Sequence, residues 1–213
     1  MCHHYKSAKH LPEHFVEEYH LRPDQRTLFD KLADELKDGG AWPLKSVPAL
    51  RIDDAGELEA FGAEWGLLPR WWKPSDKSPK REKFQRGTFN ARSETAATKP
   101  TFRDAFKRRR CLVPFVEFHE RDHYFGVRRG DEFEPLAFAG LWESWQGAEA
   151  DVLSVTFLTT EPNAEVRSVG HDRMPVLLAT PADRRRWLVE GADGADDPLL
   201  QPFADGALSI RPK

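Results

Sequence analysis

CLVPFVEF (Cys111–Phe118), HYFGVR (His123–Arg128), LAFAGL (Leu136–Leu141) and VLSVTFLTT (Val152–Thr160) follow one another with only short polar breaks, and this stretch decides the fold. Each run is brief, rich in β-branched and aromatic residues and bounded by charged or turn-forming ones, which is the pattern of strands. Upstream, Val47–Asp53 and Glu57–Trp65 read as two further strands around the turn-like Asp53-Asp54-Ala55-Gly56. The predicted core is therefore a largely antiparallel sheet. Helices are expected at its edges. From Asp24, Leu28, Leu32 and Leu36 fall on one helical stripe closed by Gly39-Gly40. Phe102 and Phe106 share a face over 101–109, and over 181–190 Thr180 can cap while Pro181 suits the first turn. The fold class expected is α+β.

Working outward, 213 residues suit one domain spanning 1–213, since a second unit would leave little core for either. The apolar fraction is ordinary for a globular protein: 39% hydrophobic residues plus 14 glycines. Two stretches, 73–83 and 191–202, lack apolar periodicity and read as surface loops. No apolar run approaches the roughly 20 residues that span a bilayer, so no membrane partner is expected. A cytoplasmic location is expected, nucleoid-associated if the source is bacterial. Two cysteines are too few for a secreted disulfide scaffold and should be reduced. Net charge is −3, but Leu67–Arg129 holds 17 Lys+Arg against 7 Asp+Glu, a local +10 against −13 elsewhere. This asymmetry fits an anion-binding face or a merely solvated surface.

The chemistry centres on the N-terminus. Cys is small enough for Met1 to be removed, which would leave Cys2 with a free α-amine beside its thiol. An amine attacks an aldehyde to give a Schiff base, and the thiol can then add to the same carbon, closing a five-membered thiazolidine. An α-amine has a pKa near 7.7–8.0 against about 10.4 for Lys, so at neutral pH roughly several hundred-fold more of it is free base. Ring closure is also intramolecular, with effective molarities that reach about 10⁵–10⁸ M in well-oriented cases.

Six segments extend this reading. They are Met1-Cys2, Trp65-Gly66-Leu67-Leu68-Pro69-Arg70-Trp71, Phe89-Asn90-Ala91-Arg92-Ser93-Glu94-Thr95, Arg110-Cys111-Leu112-Val113-Pro114, Phe138-Ala139-Gly140-Leu141-Trp142-Glu143 and His171-Asp172-Arg173-Met174-Pro175. In content and order the chain resembles the SOS-response-associated peptidase (SRAP) domain family. The resemblance implies a β-barrel-like core with peripheral helices, and covalent capture of abasic sites in single-stranded DNA, with no cofactor or resident metal.

The resemblance also implies roles. Asn90 would contact the adduct and orient Cys2, although a turn-forming Asn is the plainer alternative. Arg92 would hold phosphate, or else an acidic neighbour. His171 would support Schiff-base chemistry and ring opening, or simply satisfy the core. The family glutamate, counted six residues past Pro114, falls at Glu120, the expected proton shuttle. Thr160 lies in a segment resembling one that lines the family pocket. Arg70 and Arg173 are added as phosphate contacts. Trp65, Trp71 and Trp72 lie near the basic run as candidates to stack on unpaired bases, with Trp65 assigned to the DNA site and core packing expected for at least one. The run Lys107–Arg110 is left as a possible solvated helix end. A monomer is expected, although no residue pattern fixes the oligomeric state.

Two departures stand out. Where the family has Gly-aromatic-aromatic-Glu-Trp, this chain reads Glu117-Phe118-His119-Glu120-Arg121, making Glu117 a rival carboxylate. Residues three apart on a strand face opposite ways, so only one of the two can face Cys2. His3-His4 also stands where the family usually has Gly-Arg, so an arginine expected to touch DNA is missing. Two other functions remain open. A cysteine hydrolase or self-processing protease would use Cys2 as nucleophile, His171 as base and Asn90 as oxyanion donor. A zinc site would draw on Cys2, His3, His4, His10 and His14, whose spacing matches no common pattern.

Overall fold

The computed structural model describes residues 2–13, 15, 20–76, 80–147 and 150–213. Met1 and His14, both invoked by the sequence reading, lie outside these residues, as do 77–79 of the expected 73–83 loop.

In chain order the strands are β1 Tyr5–Ser7, β2 Gly40–Ala41, β3 Ser46–Ile52, β4 Leu58–Trp65, β5 Asn90–Arg92, β6 Arg110–Glu120 and β7 His123–Arg129. They continue with β8 Glu132–Glu134, β9 Leu136–Trp145, β10 Val152–Thr160, β11 Met174–Pro175, β12 Leu177–Leu178 and β13 Ser209–Pro212. Helices are α1 Pro23–Asp34, α2 Arg81–Gln85, α3 Ser93–Ala96, α4 Arg103–Arg108, α5 Ala164–Ser168 and α6 Pro181–Val189. The six strands and three longer helices expected from sequence are present, and the α+β class holds.

Five strands close a barrel. β3 pairs with β4, β4 with β10, β10 with β9, β9 with β6, and β6 returns to β3 through Leu50 opposite Leu112. Four of these pairings are antiparallel; β4 and β10 run parallel, with Val155 opposite Trp65. Side-chain alternation then sorts the residues. Val47, Ala49, Phe61, Ala63, Trp65, Cys111, Val113, Phe115, Phe138, Val155 and Phe157 form an aromatic-rich core with Tyr5. The alternate positions Leu50, Leu58, Ala60, Leu112, Ala139, Leu141 and Leu158 face outward under Phe29, Phe106 and Trp187 from α1, α4 and α6. The interior is narrow: a Cβ on Gly140 would stand 2.7 Å from Cys111 Sγ.

The expected helix signals act with one correction. Thr180 Oγ1 accepts from Asp183 N–H at 3.1 Å with Pro181 in the first turn of α6. In α1, however, Phe29 and Ala33 are buried while Leu28 is exposed, so the Leu28–Leu32–Leu36 stripe is not the buried face. The 191–202 loop contains a short 3-10 turn, Pro198–Leu200, whose Leu199 and Leu200 are buried. Arg110 closes two helices at once: its guanidinium donates to Phe106 O and Lys107 O of α4 and to Trp187 O and Val189 O of the α6 C-terminal turn. Among the described residues no helix is long and apolar enough to cross a membrane.

Candidate active site

Strand direction gathers the chemistry at one barrel mouth. β6 and β10 both run antiparallel to β9, so their C-terminal ends, Glu120 and Thr160, lie on the same side. β1 runs antiparallel to β6, with Tyr5 opposite Phe118 and His119 N–H donating to His4 O at 3.0 Å. This threads Cys2 toward Glu120. β5 lies parallel to β10, with Asn90 opposite Phe157 and Arg92 opposite Thr159, and delivers Asn90 to the same end.

Cys2 is buried at 1% exposure, and its thiol donates to His4 O at 3.3 Å. Asn90 Nδ2 donates to Cys2 O at 2.9 Å, fixing the backbone of the terminal residue. Asn90 Oδ1 has no hydrogen-bond partner among the described residues. Glu120 Oε2 lies 3.1 Å from His171 Nε2, with both side chains under a tenth exposed. Glu120 owes its aim to the turn after it. Arg121 and Asp122 have φ of 49° and 61°, the two left-handed residues of a type I′ hairpin, and Glu120 closes the ladder opposite His123.

Burial sets the electrostatics. It pushes the Cys2 thiol well above its usual range, with the nearby Glu120 charge adding to the effect. It raises the Glu120 carboxyl to about 7 and lowers the His171 imidazole. At neutral pH the site therefore holds a neutral thiol, a neutral imidazole and a carboxyl near half-ionisation. Such a carboxyl can give and take protons with little bias. A neutral, desolvated thiol is a poor starting point for thiolate attack on an amide, the step a cysteine hydrolase needs.

The rival carboxylate has a partner of its own. Glu117 is buried and held by Arg211 of β13 through two 2.6 Å bonds, on the face away from Glu120. Alternation along β6 thus leaves Glu120 alone to face the His171 side.

An open cleft of about 530 Å³ lies over this group, lined by Arg92, Glu161, Arg167, His171, Asp172 and Arg173 among others. Arg92 is exposed there. Arg173 also lines the cleft but is buried, and it grips Glu94 by two bonds of 2.5 and 2.9 Å and Thr159 O by a third. Thr160 is buried beside it, paired with Met174. Arg167, Glu161 and Asp172 are not among the site residues the sequence singles out; Glu161 and Asp172 adjoin Thr160 and His171 in sequence, whereas Arg167 carries no such signal.

Two of the expected DNA residues lie away from the cleft. Trp65 is fully buried, packs its ring on Tyr5 and Phe157 and donates Nε1–H to Phe89 O at 2.7 Å, so alternation has turned it into the barrel and away from any base. Arg70 is not brought to the cleft: with Arg109 it grips Glu143, which pairs with Ser154, six residues before Thr160 on β10 and so about 20 Å down the strand. The proposed zinc ligands also separate. His4 is buried with Nδ1 on Ala41 O and Nε2 on Tyr124 OH, both at 3.1 Å, while His10 is exposed beside Asp30. Among the described residues no three His, Cys, Asp or Glu side chains converge as a metal site.

Comparison with known proteins places this arrangement in context. The abasic site processing protein YoqW of Bacillus subtilis is 34% identical over 161 residues, 71% of this chain and 68% of its own length. The abasic site processing protein HMCES of Rattus norvegicus is 28% identical over 178 residues, 68% of this chain but only 49% of that protein. Crystal structures of proteins from Bacteroides thetaiotaomicron (TM-score 0.76, 23% identity, 99% of this chain and 91% of that one) and Bordetella bronchiseptica (0.69, 26%, 100% and 99%) share the fold. The SOS response associated peptidase (SRAP) family model matches residues 1–212, and the chain belongs to that family.

Proposed function

We propose that this protein captures abasic sites in single-stranded DNA covalently, through Cys2 once Met1 has been removed. The observation that carries the reading is the convergence on one residue: Asn90 holds the Cys2 backbone at 2.9 Å while the His171–Glu120 pair, 3.1 Å apart, stands beside its thiol. The relatives' names, which refer to abasic site processing, support the same substrate.

The free α-amine of Cys2 attacks the C1′ aldehyde of the ring-opened sugar. Glu120 in its acid form protonates the carbinolamine hydroxyl, which leaves as water and gives a protonated imine beside the Glu120 carboxylate. The Cys2 thiol gives its proton to the Glu120 carboxylate as its sulfur adds to the iminium carbon; the C=N electron pair returns to nitrogen, and the C–S bond closes the thiazolidine with Glu120 back in its acid form. His171 relays protons to and from Glu120 and assists sugar ring opening. Arg92, exposed on the cleft rim, holds a phosphate. The depressed reactivity expected of a buried neutral thiol favours this addition to an activated imine over amide hydrolysis.

The test is incubation with single-stranded DNA carrying one abasic site. A protein–DNA band that survives denaturation, with the summed mass of protein and DNA less one water, is expected. Wild-type protein whose intact mass lacks Met1 but that forms no such band overturns the proposal.

A further inference from the structure

His4 occupies the position where the family resemblance leads one to expect an arginine on DNA, and the structure uses it differently. Its ring is 6% exposed, tied to Ala41 O and Tyr124 OH, and stacked on Trp42 with centroids 3.9 Å apart at an angle of 15°. Trp42 itself is 49% exposed. An indole with one face covered by a fixed ring and half its surface in solvent presents its other side outward. Gly40 makes room for the stack, since a Cβ there would stand 3.1 Å from His4 Cε1 and 3.3 Å from Trp42 Nε1.

The position is next to the site. β1 and β2 pair with Tyr5 opposite Ala41, and continuing that register sets Trp42 across from His4, two residues from Cys2. Two extended residues span about 6.6 Å. We propose that Trp42, held flat against His4, is a stacking platform for the nucleobase adjoining an abasic nucleotide bound at Cys2. This rests on the reading of the site as an abasic-site trap and adds a residue to it. An abasic nucleotide has no base of its own to stack, so its neighbour is the nearest aromatic partner a platform beside Cys2 can find. The exchange trades a charged phosphate contact for a neutral, less salt-sensitive one.

The test uses single-stranded DNA with one tetrahydrofuran site, the stable abasic analogue, flanked by adenines or by a further tetrahydrofuran on the 5′, the 3′ or both sides. Binding is read by fluorescence anisotropy for wild type, Trp42→Ala, Trp42→Phe and Trp42→Leu, with far-UV circular dichroism on each. Removing one neighbouring base should weaken wild type roughly 5- to 100-fold. Trp42→Ala and Trp42→Leu should bind the adenine-flanked strand that much more weakly and be indifferent to base removal, while Trp42→Phe keeps most of the sensitivity. Wild type indifferent to both neighbours, or a leucine variant that remains base-sensitive, overturns the platform; the leucine variant decides if alanine fails to fold. A parallel gel with a true abasic site separates the two readings, because absence of a wild-type crosslink sinks the trap while the anisotropy still scores the platform.

Discussion

His171 Nε2 stands 3.1 Å from Glu120 Oε2 in a pocket where both side chains are nearly buried, and burial moves each toward its uncharged form. The carboxyl is raised from 4.5 to about 7, so the fold favours its protonated state. Stability from this group is full below about 4.5 and is lost as pH rises toward 7. Glu120→Gln removes the titration. The variant should be more stable than wild type at pH 8 by on the order of 1–3 kcal/mol, with the gap closing toward pH 4.5. Urea melts at both pH values check it; a gap independent of pH means that Glu120 is not shifted.

The same substitution tests the chemistry. Wild-type crosslinking should show an inflection near pH 7 that the glutamine variant lacks, with its rate down by about 10²–10⁴, the range for loss of a positioned acid–base group. An unchanged pH profile would point the proton transfer to another group.

Cys2 contributes two nucleophiles, and they can be separated. Cys2→Ser keeps the α-amine and loses the sulfur. It should give a denaturation-resistant band only when borohydride traps the imine, whereas wild type needs no reductant. A serine variant that forms an equally durable band without reductant would remove the thiazolidine from the mechanism.

Glu117 and Glu120 are both buried on β6, three positions apart, but have different partners. Glu117 serves Arg211, whose side chain is about a third exposed, so breaking the pair costs less than a fully buried one. Glu117→Ala should lower stability by about 2 kcal/mol and leave the crosslinking rate of the folded protein near that of wild type. A crosslinking defect comparable with that of Glu120→Gln at equal folded fraction would reverse the assignment of the two carboxylates.

The sequence exposes some of this and hides the rest for physical reasons. Long strands such as β6 and β10 carry their own composition and are legible, as is α6 with Thr180 and Pro181 at its start. β1 and β5 are three residues long, too short for periodicity, and exist only through pairing with β6 and β10. They are nonetheless the strands that deliver Cys2 and Asn90. The α1 stripe misleads because each four-residue step turns about 40° past a full circle, so Leu28 drifts off the face that Phe29 and Ala33 bury. Asn90, Glu120 and His171 are legible through motifs, but that Glu117 is spoken for depends on Arg211, 94 residues away. Trp65 and Arg70 sit in a matching motif and read as DNA contacts, yet one lines the barrel and the other neutralises Glu143, roles that only tertiary packing reveals.

Arg92 and Arg173 line the same cleft yet should respond oppositely to substitution. Arg92 is exposed and forms no ion pair among the described residues. Its removal should spare stability, weaken DNA binding several-fold and reduce the slope of log Kd against log salt by about 0.7, the value for one single-strand phosphate contact. Arg173 is buried and holds together Glu94 of α3 and the Thr159 carbonyl of β10, so Arg173→Ala leaves a carboxylate and a carbonyl without their donor. Glu94 is 43% exposed and can turn to water, so that variant should lose only about 1–2 kcal/mol of stability, chiefly from the Thr159 carbonyl. Arg173→Lys should recover part of the stability as a point charge while losing the paired geometry. Salt titrations of binding with urea melts on the same samples distinguish the two arginines. If Arg173→Ala melts like wild type and drops the salt slope instead, its guanidinium is free to leave Glu94 for phosphate, and the cleft binds DNA with two arginines rather than one.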